Sequence, residues 1–117
     1  MPKLCLIFLF FSPLPASADW IRIDDVQKNV EWNLPAKSGG KYKYVSERYI
    51  AGEGAESFKM EKLIKYDCHS LKYFIVLATE KHADGKSMAL PNASIWYTIK
   101  KNSRHHENLI KHGVCQK

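Results

Sequence analysis

The stretch FKMEKLIKYDC, residues 58–68, holds the longest alternation in the chain. Phe58, Met60, Ile64, Tyr66 and Cys68 share one parity, Lys59, Glu61, Lys65 and Asp67 share the other, and the pattern breaks at Lys62 and Leu63. Successive side chains of a strand point to opposite faces, so this period of two predicts a strand with one buried face and turns Cys68 inward. Downstream, residues 73–77 (YFIVL) are apolar at every position, which predicts a central strand covered on both faces. Asp84 and Gly85 both tolerate positive φ and predict a tight hairpin turn within residues 82–86. A short strand at 86–90 follows, closed by Pro91 and Asn92, and Ile95, Tyr97 and Ile99 alternate with Trp96 and Thr98 in the last strand.

Working back toward the start, Ile21 and Ile23 alternate with Arg22 and Asp24, and Val30, Trp32 and Leu34 with Glu31 and Asn33. These are two more strands, the second ended by Pro35, which has no N–H to give a ladder. Between 37 and 57 the pattern is mixed: Tyr42, Val45 and Tyr49 suit a helix, Tyr42 and Tyr44 suit a strand, and the glycines at 39–40 and 52–54 mark loops. Strand and loop is the expectation there. Leu109, Ile110 and Val114 recur at helical spacing instead. Asn102 or Ser103 can cap the first turn, Lys111 and His112 suit the negative end of the helix dipole, and Gly113 suits the left-handed residue past the end. The fold class is therefore α+β: a single antiparallel β-sheet, a C-terminal α-helix packed on it, and one disulfide.

Residues 1–18 read as a secretory signal peptide. Lys3 is the only charge, residues 4–11 are unbroken apolar, Pro13 and Pro15 end that run, and Ala16, Ser17 and Ala18 form a small-x-small exit. A spanning helix needs roughly 20 apolar residues, so no membrane span is expected. Cleavage between Ala18 and Asp19 leaves residues 19–117 as one domain. Cys5 leaves with the leader, so the three cysteines become a pair, Cys68 and Cys115, which an oxidising compartment favours as a disulfide. A reactive or metal-bound thiol is the competing reading. Lys3 leaves too, so 17 of the 18 Lys and Arg remain against 12 Asp and Glu, a surplus of +5. Such a surplus suits solubility and also suits acidic partners.

Patterns that carry chemistry are weak. Gly85, Lys86 and Ser87 imitate the end of a phosphate-binding loop, but the glycine required five positions earlier is Glu80. The glycines at 52 and 54 lack the rest of a dinucleotide fingerprint. Cys68 and His69 are strand neighbours that point apart, and so cannot hydrogen-bond as nucleophile and base. His105, His106 and His112 form no zinc set, and a solvated or partly packed helix face accounts for them. Asp24 and Asp25 also point apart. No catalytic, cofactor or metal residue is assigned. Lys100, Lys101, Arg104 and Lys111 make a basic binding face if the helix reaches back to Lys100. Lys41, Tyr42, Lys43 and Tyr44 interleave cations and rings as single-strand nucleic-acid binders do, though an exported protein is not expected to meet nucleic acid.

Trp20, the run Val30, Glu31 and Trp32, the pair Asp67 and Cys68, Tyr73, Gly85, Trp96 with Ile99, Ser103, and the close from Leu109 to Val114 and Cys115 resemble the surface-adhesin protein E-like family of exported bacterial proteins. The resemblance implies an antiparallel sheet with a C-terminal helix and a disulfide. It also implies a non-enzymatic module that binds host matrix or serum proteins. The expected function is an exported, non-enzymatic binding module for an extracellular protein or acidic glycan, needing no cofactor. With no lipid-attachment cysteine at the cleavage point, a periplasmic or secreted location is expected. The alternative is a small periplasmic inhibitor of an enzyme such as lysozyme, although lysozymes are cationic and a basic partner repels them. An unrecognised hydrolase is a third reading, for which no convergent acid, base and nucleophile is found.

Overall fold

The computed structural model describes residues 19–91 and 94–116; residues 1–18, the stretch read as a signal peptide with Ala18 at its expected cleavage point, and Asn92 lie outside the described residues. Seven strands form one antiparallel sheet among them: β1 (Asp19–Arg22), β2 (Val30–Gly39), β3 (Tyr42–Ala51), β4 (Phe58–Asp67), β5 (Lys72–His82), β6 (Ser87–Ala89) and β7 (Trp96–Thr98). β1 to β6 pair in chain order, and β6 and β7 both lie along the free edge of β5, at Thr79–Lys81 and Lys72–Phe74 respectively. Helix α1 (Arg104–Lys111) follows the last strand. No helix among the described residues is long and apolar enough to cross a membrane.

The period of two in the sequence becomes two chemically different faces. On the inner face Trp32, Val45, Ile64 and Tyr66 are buried, and Leu109 and Val114 of the helix segment close over them. The outer face carries the alternate residues, including Arg48, Lys59, Glu61, Lys65 and Phe74. Between 37 and 57 the chain is almost wholly extended: β2 turns into β3 at Gly40, whose φ is 64°, and a single 3₁₀ turn, Gly54–Glu56, leads to β4.

Three expectations about the elements are corrected. Pro35 does not end β2; the strand runs on to Gly39, and the register shifts between Asn33 and Lys37. A residue that cannot donate to a ladder is tolerated at such an irregularity. β5 is flanked by strands on both edges but is not covered on both faces: Leu77 is 52 % exposed, on the outer face opposite Leu63. Among the described residues one short helix covers one side, and the apolar run instead spans a bulge. Leu63 pairs with Leu77 and Ile64 with Ile75, so one extra residue, Val76, is taken up on β5. Cys68 lies just past β4, in the turn to β5, and packs against the core from there.

Helix α1 begins at Arg104, not at Lys100. Asn102 has φ of 66°, outside the helical range, and Ser103 caps the helix by accepting from the N–H of His106 at 3.3 Å. His106 Nδ1 in turn accepts from the N–H of Asn102 at 2.9 Å. At the other end Gly113, at φ 75°, lets Val114 and Cys115 donate back to the carbonyl of Leu109. That reversal brings Cys115 to Cys68, with Cα atoms 5.5 Å apart in the disulfide. The helix is thereby stapled to the end of β4.

Candidate functional site

Where α1 starts, it stands off the sheet and leaves a cavity of about 350 Å³ lined by Val30, Trp32, Glu47, Arg104, His105 and Asn108, among others. β2 and β3 supply its floor because Trp32 and Glu47 are cross-strand partners. Their side chains meet: Trp32 Nε1–H donates to Glu47 Oε1 at 3.0 Å, and Lys62 Nζ lies 4.0 Å from the other carboxylate oxygen. The helix supplies the roof through Arg104, His105 and Asn108; positions 105, 108, 109 and 112 share the face turned to the sheet, at intervals of three and four.

Three of those four positions are polar, and each polar group holds the helix in place. His105 ring nitrogen Nε2 is 2.9 Å from Tyr66 Oη, and its ring sits edge-on to Tyr66 and Tyr73. His112 Nε2 donates to the carbonyl of Ile23 at 2.8 Å and meets Trp32 edge-on, so the two histidines flank Trp32. Buried Asn108 donates to Asp24 Oδ2 at 2.9 Å, while Asp24 Oδ1 accepts from the N–H groups of Val26 and Gln27. Backbone donation from Gln27, then the Asn108 amide, holds the Asp24 carboxyl below its usual range.

Burial lowers the pKa of His105, so the ring stays neutral at neutral pH. Burial, and then the charge of Glu47, push the Tyr66 hydroxyl well above its ordinary value. A nucleophile needs the opposite shift. At the wall of the cavity a neutral imidazole therefore meets a buried phenol that resists ionisation, an arrangement suited to packing. Among the described residues no three His, Cys, Asp or Glu side chains come together as metal ligands.

The residues expected to form a basic face are dispersed by the helix start. Arg104 and Lys111, seven apart, share one exposed flank of α1, whereas Lys100 and Lys101 are exposed on the turn before Ser103. They do not lie on one helix. Asp19, expected at the new N-terminus, opens β1 opposite Leu34. Cys68 and Cys115 are bonded to each other. Glu47 and Asn108 escaped the sequence reading because each is polar at a position where a period search counts apolar residues. The spacing His105, Asn108, Leu109, His112 was the one available signal.

No protein-family model, curated protein or solved structure matches the chain.

Proposed function

We propose that this protein is an exported, non-enzymatic binding module of the surface-adhesin protein E-like kind, acting in the periplasm or outside the cell on an extracellular protein or an acidic glycan. The observation that carries this reading is the open outer face of the sheet. Trp96, Leu77 and Ile50 are exposed on it at separate points among several lysines, and this mixture of apolar and cationic groups supports an interaction surface. Further support comes from the basic surplus, +6 for the full sequence and +5 without Lys3, from the leader-like start of the sequence, and from the residues that resemble the family.

Two measurements test the reading. Mass spectrometry of the protein recovered after expression with its leader should find an N-terminus at Asp19, and an intact Met1 terminus would sink export. The purified protein should bind heparin or at least one matrix or serum protein in a surface-binding assay at graded salt. Failure to bind any of them at about 50 mM salt, where screening is weak, would refute the binding-module reading.

A further inference from the structure

The outer face carries a row of side chains that only the strand register assembles. Lys37 on β2 pairs with Tyr44 on β3, Tyr44 with Lys65 on β4, Lys65 with Phe74 on β5, and Phe74 with Trp96 on β7. Tyr42, on the same face of β3 as Tyr44, closes on the row from the side. Its ring centroid is 5.7 Å from that of Trp96, and Phe74 is 5.5 Å from Trp96. The ammonium of Lys65 lies against all three rings, 4.9 Å from Tyr42 and 5.3 Å from both Phe74 and Trp96.

The surroundings are basic. Lys72 and Trp96 line a hollow of about 250 Å³ with Tyr42, Asp67 and Ser70, and Lys41 sits 5.3 Å over the Tyr42 ring. Lys37 and Tyr44 line a second hollow of about 380 Å³ further along the row. At the far end of the outer face the charges neutralise one another, through Arg48 with Glu31 and through Lys81 and Lys59 with Glu61. Among the described residues no ion pair engages Lys37, Lys41, Lys65 or Lys72. Asp67, the carboxylate that lines the first hollow among the described residues, accepts from the N–H groups of Ser70 and His69, and the nearby charge of Lys41 helps to hold it ionised.

We infer that this ledge is a binding site for an acidic glycan, a chain of sugars bearing carboxylate or sulfate groups; the inference rests on the binding-module reading above and names its site and ligand. The apolar face of a sugar ring packs on the exposed Trp96 ring, while anionic groups at the ring edge meet the ammonium groups of Lys65 and Lys72. Further along the chain a second anionic group meets Lys37. Five strands at about 4.8 Å give the row a span of roughly 19 Å, longer than one sugar ring, which fits an oligosaccharide. An acidic peptide is less suited, since it gains most by pairing with a strand edge, and the backbone groups of a sheet face are already used in the ladder. Single-stranded nucleic acid stacks successive bases on successive open rings. Here only Trp96 is exposed, because Tyr42 and Phe74 are partly buried and share Lys65.

The test is titration of the purified protein with a heparin oligosaccharide, at several salt concentrations, beside an oligonucleotide and a polyglutamate of matched charge. Trp96→Ala should weaken heparin binding roughly tenfold with the salt dependence unchanged, as loss of a stacking ring does. Lys72→Gln should weaken binding and reduce the slope of log affinity against log salt by roughly one. The double variant Arg104→Gln/Lys111→Gln should bind as the parent does. Both ledge positions are on the surface, so thermal melts matching the parent confirm that each variant is folded. Heparin binding that survives both ledge variants, or that is lost in the helix variant, overturns the site. Equal or tighter binding of the oligonucleotide or polyglutamate overturns the ligand class. Binding to a matrix protein without binding to heparin overturns the glycan inference and leaves the module reading standing; binding to neither removes both.

Discussion

Replacing Cys68 and Cys115 together by alanine cuts the covalent link between the turn after β4 and the segment after α1. The cysteines are 47 apart in sequence, and closing a loop of that length in the denatured chain removes entropy worth roughly 4 kcal/mol at 25 °C. The folded state changes less. Leu109 and Val114 still bury themselves on the sheet, and His105 and His112 still flank Trp32. Loss of the two sulfur atoms from the core adds about 1 kcal/mol, since Cys115 is itself buried. Urea unfolding followed by tryptophan fluorescence should therefore give a free energy about 5 kcal/mol lower for the double variant than for the oxidised parent. The slope against urea should be steeper, because an unlinked denatured chain exposes more surface. A loss under about 1 kcal/mol with no change of slope would refute the argument that the bond acts by constraining the unfolded chain.

Three further outcomes are expected. Leu109 is fully buried, so Leu109→Ala should cost about 2–5 kcal/mol in the same urea assay, a range set by how far the helix settles into the space left. Gly52 has φ of 80°, and a Cβ there would lie 2.6 Å from the carbonyl oxygen of Glu56; Gly52→Ala should cost at least about 1 kcal/mol, whereas a neutral melt would mean the turn at residues 52–57 adapts freely. Stability should fall with acidity in two stages. The denatured chain binds a proton on His105 near pH 6.5 that the buried ring, whose neighbours include Tyr66, Tyr73, Glu47 and Arg104, resists, so stability is full above about pH 6.5 and declines below it. Asp24 and Asp67, held below their usual range mainly by backbone N–H donors, withdraw their contribution only below about pH 4, as pH falls through their folded values. In melts across this range, His105→Gln should flatten the first stage and Asp24→Asn the second; a first stage unchanged in His105→Gln would assign it to another group.

Much of the fold was legible because its signals are local. Val30, Trp32 and Leu34 announce β2, and the alternation from Phe58 to Tyr66 announces β4, since burial of one face leaves a period of two in the chain. Ser103 and Gly113 mark the ends of the helical segment by backbone chemistry that needs no partner from elsewhere. The tight turn at Asp84 and Gly85 is equally local: Gly85 has φ of 89° and donates to the carbonyl of His82 at 3.0 Å. Less of the candidate site was legible. The histidines were placed on one helix face, but their packing around Trp32 depends on a ring 73 residues earlier than His105, and spacing within the helix cannot show what faces it.

By itself the sequence determined most of the element types and the antiparallel class, because periodicity and capping are properties of the chain alone; the bond between Cys68 and Cys115 was an expectation that the structure shows. The tertiary structure alone decided which apolar residues would be covered. One eight-residue helix packs on the inner face of a seven-stranded sheet and no described element packs on the outer face, so Leu77 remains exposed although the run 73–77 reads as covered on both faces. It alone also placed Lys65 among Tyr42, Phe74 and Trp96. Those residues come from four strands, and cross-strand neighbours are set by register, a quantity the pattern of any single strand does not contain.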